Sequence, residues 1–237
     1  MRFFALLATT FALAAHSFAE ILLPKECQQV VCVTSSSWTS SRGTLQRWES
    51  ASGAGAWKKV GEPVDVVVGE RGLGWGLGLH GSATDDGPRK KEGDRKAPAG
   101  VFRLTGSFGR SQSPVGNLPW RAITPTLEAI DDPASRFYNR IVDRRKVGEP
   151  DWKSSERMAE IPVYKLGVVV AHNPRNIPGA GSCIFLHLRR EKSSGTAGCT
   201  AMQEAPLVTL VRWLDPARQP VLVQFPRAVM QREFPGF

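Results

Sequence analysis

The chain has 237 residues, a formal net charge of +9 and a hydrophobic fraction of 41%. This length supports one large domain with its own core, although two smaller domains also fit it. The four cysteines are too few and too unevenly spaced for a small scaffold held by disulfides. After the N-terminal segment, no apolar run approaches the roughly twenty residues of a membrane span. We therefore expect no stable membrane insertion.

The N-terminus has the features of a secretory signal peptide. Residues 1–19 contain one charged side chain, Arg2, followed by an apolar run over residues 3–15 and a small-x-small cleavage site. The apolar run is too short to span a membrane. The sequence therefore predicts a signal peptide at residues 1–19 and a single domain at residues 20–237 of a periplasmic or secreted protein.

Strand-like runs outnumber helical ones. Helical periodicity is clear at residues 205–214, where four apolar side chains share one face before an Asp-Pro pair ends the helix. A shorter helix is predicted at residues 154–158, and long loops at residues 110–117 and 173–181. The fold is predicted to be mainly β, a β-sandwich or closed sheet with one or two packed helices. The predicted strands are residues 30–34, 43–49, 64–68, 101–104, 165–171, 182–188 and 221–224.

The stretch from His187 to Cys199 places two reactive side chains at the ends of one short loop. Residues 182–188 are apolar and predict a buried strand that carries His187 near its end. Residues 189–196 have turn composition, and small residues then surround Cys199. A hairpin here would bring Cys199 back beside His187. An imidazole that takes the thiol proton would raise the thiolate fraction.

Gly198 has a further role in this hypothesis. Since no side chain precedes the nucleophile, the amides of Gly198 and Cys199 are expected to point at a developing oxyanion. The spacing also fits a plainer interpretation, in which Cys199 is a buried small residue and His187 a hydrogen-bonded strand histidine. A zinc site of Cys183, His187, Cys199 and His172 is a weaker alternative, because no C-x2-C or H-x3-H spacing supports it.

Two segments resemble the YkuD-type L,D-transpeptidase catalytic domain. In that family a strand histidine precedes a loop that ends in Ser/Thr-x-Gly-Cys, as His187 precedes the Thr-Ala-Gly-Cys run that ends at Cys199. Residues 93–102 resemble the family's earlier charged stretch, which leads into a Pro-x-Gly-x-Phe turn. The resemblance covers residues 64–223 and implies the family's closed-sheet fold.

The resemblance also implies a cysteine acyltransferase that acts on peptidoglycan stem peptides. In that mechanism the Cys199 thiolate attacks the carbonyl of the L-centre of a tetrapeptide and expels the terminal D-residue. His187 moves the proton, and a nearby backbone carbonyl such as that of Leu188 orients its other ring nitrogen. Amides of Gly198 and Cys199 stabilise the oxyanion. An amine of a second stem captures the thioester, and no metal or organic cofactor is required.

Departures from the family pattern leave two alternatives open. Ala197 and Ala201 stand where the family often has His and Arg, and the loop after the histidine is shorter than usual. Capture of the thioester by water would make the same site an L,D-carboxypeptidase or endopeptidase. The missing His and Arg also fit an inactive, secreted wall-binding module. Residues 173–181 and 189–196 are expected to wall the active site, and the short second wall favours a high share of hydrolysis.

Other positions are assigned by their place in the chain. His172 ends an apolar run and precedes Asn-Pro, so we expect it at the rim of the cleft as a substrate contact, together with Thr200 beside the nucleophile. Cys183 lies in an apolar run and is expected to be a buried, inert thiol. Cys27 and Cys32 are expected to form a disulfide in an oxidising compartment.

Basic residues are scattered along the sequence rather than gathered in one patch. The runs at residues 89–91, 144–146 and 189–190 have no nucleic-acid motif beside them, so we expect no nucleic-acid partner. For a secreted chain the nearer polyanion is the bacterial wall, whose stem peptides carry free carboxylates. We expect a monomer that binds these stem peptides.

Overall fold

A computed structural model of the protein describes residues 22–52, 56–81, 87–190 and 195–237. The predicted signal peptide lies outside these residues, and so does the centre of the predicted loop 189–196. Within them the chain forms thirteen β-strands and two α-helices. Neither helix is long and apolar enough to cross a membrane. The elements are β1 (Gln29–Ser35), β2 (Arg42–Glu49), β3 (Lys58–Val67), β4 (Leu73–Trp75), β5 (Ala97–Gly109), β6 (Trp120–Ala122), β7 (Leu127–Ile130), β8 (Arg140–Asp143), β9 (Glu156–Arg157), β10 (Leu166–Val170), β11 (Phe185–Leu188), β12 (Thr200–Met202), α1 (Glu204–Trp213), β13 (Val221–Pro226) and α2 (Arg227–Glu233).

Eight of the strands form a closed barrel. Their order is β10-β11-β12-β3-β2-β1-β13-β5, and β5 pairs again with β10 to complete the ring. Two neighbouring pairs are parallel, β1 with β13 and β11 with β12. The remaining pairs in the ring are antiparallel. The prediction of a mainly β fold is confirmed, in its closed-sheet form and with two packed helices.

Strand β5 closes the barrel because it is long enough to pair with four other strands. Its start pairs with β4, its middle with β13, and its last residues with β10 and β6. The sequence predicts only residues 101–104 as strand here, since Pro98 and Gly100 are unfavourable in strands. Gly100 has φ of +147°, and a Cβ at this position would lie 2.1 Å from the His80 ring. The glycine therefore allows β5 to continue past a packed side chain.

Both helices cover the barrel with apolar side chains. Helix α1 is found one residue earlier than predicted, and it buries Leu207, Leu210 and Val211. Helix α2 is not predicted from the sequence, because its seven residues are too few to establish a clear period. It buries Val229 and Met230 and packs on β13 and β1.

A small second sheet lies beside the barrel, with the strand order β8-β7-β9. The helix predicted at residues 154–158 is wrong, because this segment contributes β9 to the small sheet. The Ser154 hydroxyl donates to Asp131 at 2.7 Å, and the Ser155 hydroxyl donates to Glu128 at 2.6 Å. These bonds hold the backbone extended, so that Glu156 pairs with β7 instead of entering a helix. Serine side chains commonly favour such alternatives to helix.

Cys27 and Cys32 lie in different surroundings. The Cys27 thiol, just before β1, donates to the Gln29 carbonyl at 3.4 Å. Cys32 lies within β1, and its sulfur is 3.8 Å from Met230 Sδ. All four cysteines are free, so the predicted disulfide is wrong. Cys32 is fixed within β1, which pairs with β2 and β13, whereas Cys27 lies before the strand with its thiol bound to the Gln29 carbonyl.

We expect four free thiols in the denatured, unreduced protein. Burial raises the pKa values of Cys27 and Cys32 to about 11, so neither thiol ionises readily for oxidation in the folded state. Alkylation in denaturant without reductant, followed by intact mass measurement, gives the count. A parallel sample reduced before alkylation should have the same mass. A count of two in the unreduced sample alone would contradict the structure.

Candidate active site

Cys199 and His187 face one cavity because β11 and β12 are parallel neighbours. His187 pairs with Ala201, and Leu186 pairs with Thr200. The predicted hairpin is therefore wrong, since the chain returns to the start of β11 and runs in the same direction again. Cys199 lies two residues before Ala201 and so projects from the same face as His187. Both side chains line a cavity of about 300 Å³.

Thr196 fixes the turn that carries the cysteine. Its amide donates to Val68 O, and its carbonyl accepts from Glu70 N, both at 2.9 Å. Its hydroxyl donates to Cys199 O at 2.6 Å and accepts from Gly198 N at 3.1 Å. One threonine thus anchors the end of the loop to the barrel and holds the Gly-Cys pair in place.

Gly198 has a conformational role at this turn. Its φ is +156°, which residues with a side chain rarely adopt, and a Cβ would lie 3.1 Å from Lys96 O. The predicted oxyanion donation by its amide conflicts with the hydrogen bond to Thr196. Of the two expected amide donors, that of Gly198 is therefore already occupied.

His187 is held as a neutral ring with a defined tautomer. Its Nδ1 lies 2.7 Å from the carbonyl oxygen of Leu188. Because a carbonyl only accepts, Nδ1 carries the hydrogen and Nε2 is the basic nitrogen. The orientation by Leu188 that the resemblance implies is thus present. Burial, together with the smaller effect of the Arg190 charge, lowers the pKa of His187 to about 4, against the opposing effect of the Leu188 hydrogen bond.

Cys199 is a buried, protonated thiol, with 9% of its surface exposed. Its sulfur accepts from Phe185 N at 3.3 Å, and its thiol donates to Cys183 O at 3.7 Å. Burial raises the pKa of this thiol to about 12, and the charge of Glu156 also raises it. The predicted thiolate is therefore not the resting form. Nucleophilic attack requires that the thiol proton leave as the new bond forms.

Three charged side chains line the cavity although the sequence interpretation did not assign them to it, namely Glu70, Arg95 and Glu156. Arg190 also lines the cavity, and it lies in the wall predicted at residues 189–196. Arg95 lies in the charged stretch of the family resemblance, and it has φ of +59°. Its guanidinium pairs with Glu70 at 2.5 Å. Glu156 carries no such signal, because its segment is predicted as a helix.

Tyr164 joins Glu156 to the histidine side of the cavity. Its hydroxyl donates to Glu156 Oε2 at 2.6 Å. Its ring meets the His187 ring edge to face, with centroids 5.5 Å apart. Burial raises the pKa of Glu156 to about 6, against the opposing effect of the Tyr164 hydrogen bond. The cavity therefore contains a thiol, an imidazole and a carboxyl group that titrates near neutrality.

His172 is not among the residues that line this cavity. Its Nδ1 accepts from Leu77 N at 3.3 Å, and its Nε2 donates to Ala180 O at 2.9 Å. The side chain is 2% exposed, and burial lowers its pKa to about 4. Both ring nitrogens are thus occupied, which corrects the expectation of a substrate contact at the cleft rim. The ring instead joins the segment after β4, at Leu77, to the loop after β10, at Ala180.

The Thr200 side chain is buried and takes part in a hydrogen-bond network inside the barrel. It is 1% exposed, and its hydroxyl donates to Gln224 Oε1 at 2.7 Å. Gln224 in turn donates to Pro98 O at 2.8 Å. The three residues form a buried polar network that joins β12, β13 and β5. The expected substrate contact of the Thr200 side chain is not available in this arrangement.

The predicted wall at residues 173–181 is a loop, but it borders a different cavity. Pro174 and Asn176 line a space of about 480 Å³, together with Cys183. Cys183 is buried as expected, with its thiol donating to Ile130 O at 3.4 Å. It precedes β11 rather than lying in it, and its φ is +51°. Among the described residues, no three His, Cys, Asp or Glu side chains group as metal ligands would.

Replacement of Thr200 by Val should lower the free energy of unfolding by about 1–3 kcal/mol, because Gln224 Oε1 loses its donor inside the barrel. Urea unfolding of the variant measures this loss. Thr209→Val is the matched control, since the Thr209 hydroxyl is exposed on α1. Equal stability of the two variants would contradict a structural role for Thr200.

Comparisons with known proteins complete the description of the site. No model of a protein family, no curated protein and no solved structure matches this chain.

Proposed function

We propose that the protein is a cysteine acyltransferase of the L,D-transpeptidase type that acts on peptidoglycan stem peptides. One observation carries the proposal. Cys199 and His187 line one cavity, and the hydrogen bond from His187 to Leu188 leaves Nε2 as the basic nitrogen. A thiol and a neutral imidazole in one cavity are the minimum set for acyl transfer through a thioester.

The first half of the proposed reaction forms the thioester. Cys199 Sγ attacks the carbonyl carbon of the L-centre while its proton moves to His187 Nε2. The tetrahedral intermediate then breaks its C–N bond, and the imidazolium returns the proton to the departing amine of the D-residue. In this scheme the neutral thiol and neutral imidazole are the reactive pair, since both groups are buried.

The second half transfers the acyl group to an amine of another stem. Arg95 and Arg190 line the cavity and suit the free carboxylates of stem peptides. These arginines come from other parts of the chain than Ala201, where the family often has its arginine. The signal peptide expected at residues 1–19 supports a reaction in the cell envelope.

The mature protein should convert disaccharide tetrapeptide and a D-amino acid into the exchanged tetrapeptide. Mass spectrometry separates this product from tripeptide, the product of hydrolysis. Cys199→Ala should form neither, because no thioester is possible. Tripeptide alone would make the protein an L,D-carboxypeptidase. No turnover by folded wild type, with equal wall binding by Cys199→Ala, would favour a binding module and contradict the proposal.

The rate of Cys199 acylation should stay nearly constant between about pH 7 and 9. His187 has a pKa of about 4 and Cys199 of about 12, so both remain neutral over this range. Below pH about 4 the imidazole is protonated and the rate should fall. Mass measurement of the Cys199 adduct with a carbapenem follows acylation in time. A rise of about ten-fold per pH unit would indicate a thiolate mechanism and contradict this scheme.

A further inference from the structure

In the second half of the proposed reaction the attacking amine must lose two protons, and His187 carries only one of them. An attacking amine arrives as an ammonium ion at neutral pH and keeps only one hydrogen in the amide product. One of the two protons it loses returns to the Cys199 sulfur through His187. The other needs a second acceptor in the cavity.

Glu156 is the side chain with the geometry for this task. It lines the same cavity as Cys199 and His187. One carboxylate oxygen accepts the Tyr164 hydroxyl at 2.6 Å, and within the described residues the other oxygen has no hydrogen-bond partner. No Lys or Arg of the described chain forms an ion pair with Glu156. A carboxylate placed this way is free to receive a proton from a ligand.

The surroundings of Glu156 disfavour its ionised form. Glu156 is half-buried, and partly removing a carboxylate from water without a cation is unfavourable; the charges of Asp131 and Glu92 oppose its ionisation further. The small sheet nevertheless holds it there through the pairing of β9 with β7. Glu128, by contrast, is buried in β7 of the same sheet, where Trp152 and Ser155 donate to it and Arg144 forms an ion pair with it. Glu156, unlike Glu128, lines the cavity of Cys199 and His187.

We propose that Glu156 accepts the second proton of the attacking amine, with Tyr164 as its positioning residue. This inference rests on the proposed function. The ammonium gives one proton to the Glu156 carboxylate, and its nitrogen forms the C–N bond as the C–S bond breaks. The thiolate takes the remaining proton through His187, and Glu156 later releases its own to solvent. The products are an amide, the free thiol and one proton.

The local charges suit this exchange. Burial keeps the pKa of Glu156 at about 6, so the group is ionised at neutral pH and still a competent base. The ionised carboxylate also raises the pKa of the Cys199 thiol. The titratable and charged groups around Glu156 are Tyr164, His187, Cys199, Cys183, Asp131, Glu92, Glu70, Arg95 and Arg190.

The variant Glu156→Gln tests two effects of the carboxylate separately: its acceptance of a proton from the amine and its influence on the pKa of the Cys199 thiol. With disaccharide tetrapeptide as donor and a D-amino acid as acceptor, the ratio of exchange to hydrolysis should fall about 100-fold, the usual loss for a general base. Labelling of Cys199 by iodoacetamide at pH 7 should become faster, because the nearby negative charge is gone. Glu160→Gln, on an exposed carboxylate that pairs with Arg157, should change neither quantity.

Each outcome decides one point. An unchanged ratio in Glu156→Gln would overturn the inference and leave the proposed function intact. A fall in both exchange and labelling would assign Glu156 to folding and overturn it as well. If wild type forms no thioester, the proposed function fails, and this inference fails with it.

Tyr164→Phe tests the positioning role. The hydroxyl lowers the pKa of Glu156, so its removal should move the midpoint of the exchange rate upward from about pH 6. A packing defect alone would lower the rate without moving the midpoint. An unmoved midpoint would therefore remove Tyr164 from the mechanism.

Discussion

The parallel pairing of β11 with β12 is the constraint on which the candidate site depends. In an antiparallel hairpin, the residues nearest the turn would have faced each other. The parallel register instead places Ala201 beside His187 and brings Cys199 close to Phe185. A small residue at Ala201 leaves the space next to the imidazole open to the cavity. The same pairing requires the loop to return along the barrel, so the position of the nucleophile depends on how Thr196 is anchored to the segment after β3.

Burial and nearby charges together set the protonation states of the side chains in this cavity. Burial keeps the Cys199 thiol protonated and also keeps the His187 imidazole neutral. The two side chains therefore do not form a thiolate–imidazolium ion pair in this structure. Glu156 is the group in this space whose ionisation changes near neutrality. The reactivity of the thiol is therefore coupled to the protonation of a carboxyl group from another part of the fold.

The sequence predicts what depends on local pattern. Alternating or continuous apolar runs identify seven of the barrel strands, and the glycine-flanked Cys199 and the strand-end His187 are the two side chains that the sequence places in one cavity. Strand direction is not local, because it depends on whether the loop turns back or crosses over, and so the predicted hairpin is wrong. His172 follows an apolar strand just as His187 ends one, yet its ring is occupied by backbone groups from distant segments. No local pattern distinguishes these two histidines.

Glu156 is the clearest case of information that the sequence pattern lacks. Its backbone is extended because serine hydroxyls bind carboxylates more than twenty residues earlier in the chain, at Asp131 and Glu128. Its carboxyl group accepts a hydrogen bond from Tyr164, which lies two residues before β10 of the barrel. The barrel thus carries the thiol and the imidazole, and the small sheet carries the carboxylate. Separate elements therefore position the two halves of the candidate site, so that in the proposed reaction a change in the small sheet would act on the carboxylate and not on the barrel strands that hold Cys199.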